Sequence, residues 1–247
     1  MGSDAEVQYL QFIWAEGLPS PEDIEVMNRE IPAYDEEMKP RGVRVLGREL
    51  DLPSTAAAVR VRGGEPLVTD GPFAETKEFI AGFDVLDCAD LDELIEVTAK
   101  NPISRFHPME LRPVVDEVRV TETVSAFDRG EDGGYSPFLL ATWAPSVPAG
   151  LFDVEAMIQE VQAWRRELQA KGLYVLGTAL GSAETATTLR VRDGETRLSS
   201  GSYGTTEEII TGVEVVNCEN RDQAIELASG YPLARYHAIE VRPFYSE

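Results

Sequence analysis

Cysteine and histidine are both scarce in this sequence, which contains two of each among its 247 residues. Cys88 and Cys218 stand at matching places in the two halves of the chain, each just after an apolar run. With so few thiols and imidazoles, neither a disulfide framework nor a clustered Cys/His metal site is expected. We predict that both cysteines are small buried thiols.

Basic residues are also few, since 22 lysines and arginines face 44 aspartates and glutamates and leave a formal charge of −22. This charge repels phosphate backbones and anionic lipids, so neither nucleic acid nor a membrane is an expected partner. The sequence has no apolar run of about 18 residues and no signal-peptide pattern, and we expect a cytoplasmic protein. It also lacks a phosphate-binding loop, a G-x-G-x-x-G motif and an H-E-x-x-H motif, so no cofactor is expected.

The sequence does contain an internal repeat. Residues 51–114 align without a gap on residues 181–244, at a constant offset of 130 positions. Between the copies lies a polar, glycine-rich stretch with no hydrophobic period. We therefore predict a first module at 1–120, a linker at 121–137 and a second module at 138–247.

Both modules have the same predicted order of elements. In the first copy these are a strand at 9–14, a helix that begins at Ser20 and Pro21 and ends near Gly42, a strand at 43–50, a hairpin around Gly63 and Gly64, a strand at 79–86, a helix capped by Asp90 and Glu93, and a last strand at 105–112. This is the ferredoxin-like order, whose sheet carries helices on one face and needs a partner for the other. We predict an α+β fold of two fused ferredoxin-like modules whose antiparallel sheets pack as an intramolecular pseudo-dimeric α+β barrel. The expected state is a monomer, with a homodimer as the alternative.

Residues 69–78 carry a resemblance to a known family. They read Thr-Asp-Gly-Pro-Phe-Ala-Glu-Thr-Lys-Glu and resemble the DGPF signature of the YCII-related family. The resemblance extends over the rest of the module, including its ending at Glu110-Leu111-Arg112-Pro113. It implies the dimeric α+β barrel fold, and barrels of similar architecture include muconolactone-isomerase-like enzymes, cofactor-free oxygenases and polyketide cyclases. Fold alone does not fix the reaction.

The second copy departs from this signature. Residues 200–207 read Ser-Gly-Ser-Tyr-Gly-Thr-Thr-Glu, so the carboxylates of Asp70 and Glu75 and the ammonium group of Lys77 have no counterpart. Either one of two pockets keeps the chemical groups, or the second copy is a structural substitute for the missing subunit of a homodimer.

Asp70 and the two histidines are the predicted proton carriers. Asp70 either accepts main-chain hydrogen bonds within its turn or acts as a general acid or base at the mouth of the barrel. His107 and His237 occupy equivalent positions in the predicted last strands, where an imidazole points into the core or into a pocket. With Asp70 nearby, such an imidazole could enolise a ketone, remove water from a β-hydroxy carbonyl or close a ring.

Other side chains are predicted to bind the substrate. Arg60 and Arg62 could stabilise a developing enolate, with solvated or paired arginines as the alternative. Glu75 and Lys77 are either substrate-binding groups or partners in loop ion pairs. The aromatic candidates for a pocket wall, with core packing as their alternative, include Trp14, Phe73 and Tyr203.

Together these features favour a cofactor-independent enzyme that acts by acid–base catalysis on a small, apolar carbonyl compound, with aromatic and polyketide-like molecules among the candidates. The reaction would be a cyclisation, dehydration or isomerisation. Two alternatives remain open, a non-catalytic small-molecule-binding or regulatory protein and a monooxygenase that needs only substrate and dioxygen.

Overall fold

The computed structural model describes residues 7–73, 77–115, 134–145, 153–204 and 208–245. Within these ranges there are twelve β-strands and four α-helices. The strands are, in chain order, β1 (Val7–Ala15), β2 (Arg44–Glu49), β3 (Ala57–Arg62), β4 (Glu65–Asp70), β5 (Phe79–Cys88), β6 (Met109–Pro113), β7 (Ser136–Pro145), β8 (Tyr174–Ala179), β9 (Thr187–Arg192), β10 (Glu195–Ser200), β11 (Glu208–Cys218) and β12 (Ala238–Pro243). The helices are α1 (Pro21–Met38), α2 (Leu91–Lys100), α3 (Val154–Ala170) and α4 (Arg221–Gly230).

The chain divides into two compact units, and each unit takes segments from both copies of the repeat. The first unit contains Met1–Glu49, Thr76–Val115 and Gly181–Thr205. The second unit contains Leu50–Glu75, Asp116–Leu180 and Thr206–Glu247. The segment that changes place is the hairpin, since β9 and β10 belong to the first unit while β3 and β4 belong to the second.

Each unit has one six-stranded antiparallel sheet. The strand order is β10-β9-β6-β1-β5-β2 in the first unit and β4-β3-β12-β7-β11-β8 in the second. Four neighbouring strands of each sheet come from one copy in the ferredoxin-like order, and the hairpin of the other copy pairs with the edge of its last strand. The predicted α+β class, with antiparallel sheets built from two fused ferredoxin-like modules, is confirmed.

The exchange of hairpins was not predicted, and the reason is physical. The turn at Gly63 and Gly64, both with positive φ, fixes the pairing of β3 with β4. It does not decide which open sheet edge the hairpin will join. Because an unpaired edge strand needs a partner and the hairpins of the two copies are alike in sequence, either edge satisfies the local pattern.

The helix boundaries follow the predicted capping residues. The amide of Asp23 donates to Ser20 Oγ over 3.1 Å, Pro21 is the first helical residue, and Gly42 ends the following turn with φ +67°. At α2 the amide of Glu93 donates to Asp90 Oδ1 over 2.9 Å. The Glu93 carboxylate accepts from the amide of Ala89, one residue ahead of the capping position, so this half of the predicted capping box is displaced.

The prediction that His107 and His237 lie inside the last strands was wrong. A 3₁₀ turn occupies Pro102–Arg105, and β6 begins only at Met109. The main-chain amide of His107 donates to Ile103 O over 2.9 Å, which continues the turn instead of the strand. His237 likewise precedes its strand, because a 3₁₀ turn over Pro232–Arg235 occupies the equivalent place.

The helices of each unit pack on one face of its sheet. In the first unit the core residues are Tyr9, Tyr34, Met38, Val43, Leu86, Cys88, Leu94, Val97 and Leu111. In the second unit the core includes Phe138, Leu140, Trp164, Leu168, Val216, Cys218, Ala224, Ala228, Ile239 and Val241. Both cysteines are free and buried, as predicted, and burial raises the pKa of each thiol to about 12.

One buried carboxylate also ties a helix to the sheet in each unit. In the first unit Asp84 accepts from Arg44, which pairs with Asp35 of α1 over 2.9 Å. In the second, Glu214 accepts from Arg165 of α3 over 2.6 Å. Burial raises the pKa of both carboxyls, and the guanidinium groups oppose that rise.

Candidate functional site

The signature loop has the same backbone geometry in both copies. Gly71 has φ +93° and Gly201 has φ +98°, values that favour glycine. Their amides donate to Ala56 O and Ala186 O, each over 2.9 Å. This turn directs the amide of the next aromatic residue, Phe73 or Tyr203, toward a buried glutamate.

In the second unit the loop meets the strands of the second copy. The amide of Phe73 donates to Glu240 Oε2 over 3.1 Å, and Arg242 Nε donates to Glu240 Oε1 over 3.1 Å. The Phe73 ring lies 5.7 Å from the Trp143 ring between centroids, and the Arg60 guanidinium lies 5.1 Å from the Phe73 centroid. Arg60, Phe73, Trp143, Glu240 and Arg242 form what we call the second-unit cluster.

The first unit contains the equivalent group with the roles of the copies exchanged. Glu110 Oε2 accepts from Trp14 Nε1 over 3.0 Å and from the amide of Tyr203 over 2.9 Å. Arg112 donates to Glu110 Oε1 over 3.0 Å. The Tyr203 ring lies 5.7 Å from the Trp14 ring, with the Arg190 guanidinium 4.9 Å from its centroid. Trp14, Glu110, Arg112, Arg190 and Tyr203 form the first-unit cluster.

Both clusters lie on the sheet face opposite the helices. Leu111 and Ile239 belong to the helix-side cores, so alternation turns Glu110 and Glu240 to the other face. Glu110 is 1% exposed and Glu240 is 3% exposed. A carboxylate this deeply buried is stable only when it is paired and hydrogen-bonded, which the neighbouring arginine on the same strand provides.

The two histidines stand beside these clusters. Burial lowers the pKa of His107, while a hydrogen bond that the imidazole donates to the Trp14 main chain and the charges of Asp23 and Glu16 oppose this. Burial also lowers the pKa of His237, with Glu208 raising it and Arg60 lowering it further. Both imidazoles are therefore neutral at pH 7, the form that can accept a proton.

Two of the arginines already have carboxylate partners. Arg60 pairs with Glu208 over 3.3 Å in the second unit. In the first unit Arg190 contacts both Glu16 and the hydroxyl of Tyr203, and the same hydroxyl contacts Glu16. Burial and Glu16 raise the pKa of the Tyr203 hydroxyl to about 12.

Asp70 lies on the surface of the second unit. Its carboxylate is 89% exposed and forms a 2.7 Å ion pair with Arg221, whose guanidinium also donates to Ala56 O. Among the described residues, the contact of the Asp70 carboxylate is this ion pair, and the alternative that it accepts main-chain amides within its turn stays a prediction. Asp70 belongs to the second unit and His107 to the first, so their pairing in one reacting centre stays a prediction.

The remaining predicted residues fall into three groups. Trp14, Phe73, Tyr203 and Arg60 all belong to the clusters. Arg62 and Lys77 are exposed, Arg62 at the end of β3 and Lys77 after the signature loop. Glu75 lies outside the described residues.

The sequence reasoning missed the residues at the centre of each cluster. Glu110 and Arg112 recur as Glu240 and Arg242 in a repeated Glu-x-Arg-Pro motif at the end of each copy. Charged residues that recur inside an otherwise apolar strand were the available signal, because such groups are seldom buried without a specific partner.

Other features of the described ranges lie away from the predicted site residues. A cavity of about 330 Å³ is lined by Asp35, Glu36, Met38, Lys39, Gly42 and Arg44, and none of these is a predicted site residue. Among the residues that the structure describes, no three His, Cys, Asp or Glu side chains are grouped so that they could hold a metal ion. In the same part of the chain, no helix is long and apolar enough to cross a membrane.

Similar solved structures share little sequence with this chain. A putative chlorite dismutase has a TM-score of 0.45 at 10% identity, with 98% of this chain and 96% of that one covered. A haem-binding protein from Thermus thermophilus has a TM-score of 0.44 at 9% identity, with 98% of this chain and 92% of that one covered.

One curated relative and one family model match by sequence. An uncharacterised protein of Rhizobium meliloti (strain 1021) is 46% identical over 68 residues, which is 26% of this chain. The match spans about half of that relative, 53% of its length. The model of the YCII-related domain matches twice, over residues 13–118 and 139–246. Because the two matches cover most of the sequence, the chain belongs to the YCII-related domain family.

Proposed function

We propose that this protein binds a small, largely apolar carbonyl compound and moves a proton on it without a cofactor, as a cyclase, dehydratase or isomerase. The observation that supports this best is an imidazole of lowered pKa near the guanidinium of the second-unit cluster. In the second unit His237 is close enough to Arg60 and Glu208 for both charges to affect its pKa. An imidazole of low pKa remains an available base in water near neutral pH.

The proposed step is an enolisation. The imidazole takes a proton from the carbon next to the carbonyl, the electrons of that C–H bond form a C=C bond, and the carbonyl oxygen becomes an enolate. Arg60 in the second unit, or Arg190 in the first, would stabilise the developing negative charge. Return of the proton to another atom gives isomerisation, and departure of a β-hydroxyl as water gives dehydration.

The choice of an apolar ligand rests on charge and composition. The net charge of −22 disfavours a strongly anionic substrate. The clusters offer aromatic rings and single polar anchors, which suit a largely apolar molecule with one or two oxygen atoms.

Proton exchange at carbon tests this proposal without knowledge of the natural substrate. Phenylacetone is incubated with the full chain in deuterated buffer, and loss of its α-proton signals is followed by NMR. We expect the wild-type protein to accelerate exchange and the His107→Asn/His237→Asn double variant to lose at least about 100-fold of that acceleration, the usual size of general-base catalysis. Exchange that is equally fast in the folded double variant would rule the histidines out as bases.

A specific observation favours the second candidate, a small-molecule binder without catalysis. Arg60 and Arg190 already pair with Glu208 and Glu16, so the cations expected to stabilise an enolate are engaged in structural contacts. The two candidates differ in one outcome, because a binder would take up phenylacetone with no exchange above that of the buffer.

A further inference from the structure

The two clusters differ in which buried donor lacks an acceptor. Among the described residues, Arg112 Nε of the first-unit cluster has no acceptor, whereas Arg242 Nε donates to Glu240 over 3.1 Å. In the second-unit cluster the donor without an acceptor is the Trp143 indole.

Trp143 is 4% exposed, and its indole Nε1 has no hydrogen-bond partner among the described residues. Its counterpart Trp14 is equally buried, at 3%, and donates to Glu110 over 3.0 Å. A buried N–H group without an acceptor is costly and uncommon in native proteins, so it points to a partner that binds there.

The glutamates of the two clusters differ in how many hydrogen-bond donors they have. Glu110 Oε2 accepts three donors, from Trp14, from Tyr203 and from the hydroxyl of Ser202 at 2.9 Å. Within the part of the chain that the structure describes, Glu240 Oε2 accepts one, the amide of Phe73. Pro72 stands where the second copy has Ser202, so the equivalent hydroxyl donor is missing from the second unit. Since the equivalent oxygen of Glu110 accepts three donors, Glu240 Oε2 can accept another.

We propose that the second-unit cluster is a binding site for an uncharged aromatic hydroxy ketone. The ketone oxygen accepts from Trp143 Nε1, and the hydroxyl group donates to Glu240. The aromatic ring packs against Phe73. This inference deepens the proposed function by naming the ligand class and the unit that binds it, and it rests on that function only for the carbonyl group.

Charge explains why the ligand is neutral. Arg242 is 1% exposed and balances Glu240 on the same strand, so the buried pair carries no net charge. A ligand carboxylate would bring a second anion next to Glu240, and an ammonium group would compete with Arg242. A hydroxyl donor and a carbonyl acceptor satisfy both open positions without adding charge.

Indole NMR on the full chain tests the site directly. The sequence has three tryptophans, so ¹⁵N labelling gives three indole N–H signals, assigned with Trp14→Phe, Trp143→Phe and Trp164→Phe variants. The probe is meta-hydroxyacetophenone, with acetophenone and meta-ethylphenol as analogues that each lack one of its two polar groups. We expect the Trp143 signal to shift on titration while the Trp14 and Trp164 signals stay in place.

Affinity measurements complete the test. Trp143→Phe and Pro72→Ser should each weaken binding of meta-hydroxyacetophenone by about 10-fold, as should removal of either polar group from the probe. Trp164→Phe is the matched control, the same change in the helix-side core, and should leave affinity unchanged. Binding of the probe without any shift at Trp143, unchanged affinity in Trp143→Phe, or no binding at all would each overturn the proposal. The binding site and the proposed function can fail separately. A Trp143 shift without deuterium exchange would support the site and reject catalysis. Deuterium exchange without a Trp143 shift would support catalysis and reject the site.

Discussion

The first-unit and second-unit clusters contain the same repeated Glu-x-Arg-Pro motif but differ in the hydrogen bonds of its glutamate. Glu110 accepts hydrogen bonds from four residues, so its carboxylate is well supplied with donors from the protein itself. Over the described ranges, Glu240 accepts from two, Phe73 and Arg242, and the nearby Trp143 indole has no acceptor. The intact signature loop belongs to the cluster whose glutamate has fewer donors, because the hairpin exchange brings it to the strands of the second copy. After a duplication, the two copies of a site can come to differ in which of their hydrogen bonds the protein itself completes.

Removal of the glutamates gives the largest expected effect. Glu110→Ala and Glu240→Ala each leave a buried arginine without its counter-ion, which should lower the free energy of unfolding by about 3–5 kcal/mol. Glu110→Ala should cost at least about 2 kcal/mol more, since the indole of Trp14 and the hydroxyl of Ser202 also lose their acceptor. Urea denaturation of the two variants measures the difference. Equal losses would mean that the two clusters are equally saturated.

Substitution of the two tryptophans should give smaller losses of unfolding free energy, which again differ between the clusters. Trp14→Phe and Trp143→Phe remove the same volume from equivalent strands, so their packing losses should be similar. Trp14→Phe also removes a hydrogen bond to a carboxylate, and should cost about 1.5–3 kcal/mol more in unfolding free energy. Thermal and urea unfolding without ligand provide the measurement. A larger loss for Trp143→Phe would contradict the assignment of its N–H as unpartnered.

The signature aspartate should matter less for stability. Asp70→Asn breaks an exposed ion pair with Arg221, so we expect a loss of at most about 1 kcal/mol in unfolding free energy. Arg221→Gln should cost more, because it also removes the hydrogen bond to Ala56 O, and the double variant should lose no more than Arg221→Gln alone. The deuterium-exchange assay on Asp70→Asn also tests the predicted acid–base role, because a proton carrier would lose exchange while stability hardly changed.

The smallest expected effect is the pH dependence of stability that comes from the histidines, because opposing causes partly cancel. Burial holds the pKa of both imidazoles below the ordinary 6.5, so the unfolded chain takes up their protons first as the pH falls. Their contribution to stability is thus complete above pH 6.5 and declines as the pH drops through that value toward the lower folded pKa. In the His107→Asn/His237→Asn variant the unfolding midpoint should depend less on pH over this range. An unchanged slope of midpoint against pH would argue against neutral buried imidazoles.

Local patterns predicted most of the secondary structure and little of the clusters. Ser20, Pro21 and Gly42 act through neighbours within a few positions, and they bound α1 and its following turn as expected. The hydrogen bond of Phe73 with Glu240 joins residues 167 positions apart, and no period or spacing reports such a contact. The hairpin exchange is hidden for the same reason, since alternation fixes the faces of a strand and not its neighbour in the sheet.

The ion pairs of the two buried carboxylates show a further limit of prediction from the repeat. Asp84 and Glu214 are equivalent positions of the repeat, yet the guanidinium that neutralises each comes from a strand in one unit and from a helix in the other. The arginine of one copy has no arginine at the equivalent position of the other copy. Aligning the copies residue by residue therefore does not reveal either ion pair.

The exchanged hairpin has a consequence for how the protein is made on the ribosome. After β6 leaves the exit tunnel, its open edge has no neighbour until residues 187–200 have been translated, because β9 pairs with it and comes late in the chain. Nascent first copies on neighbouring ribosomes of one messenger RNA therefore display complementary hairpins and edges to each other. Slow translation of the second half should increase such mispairing between chains, and a chaperone that shields strand edges should suppress it.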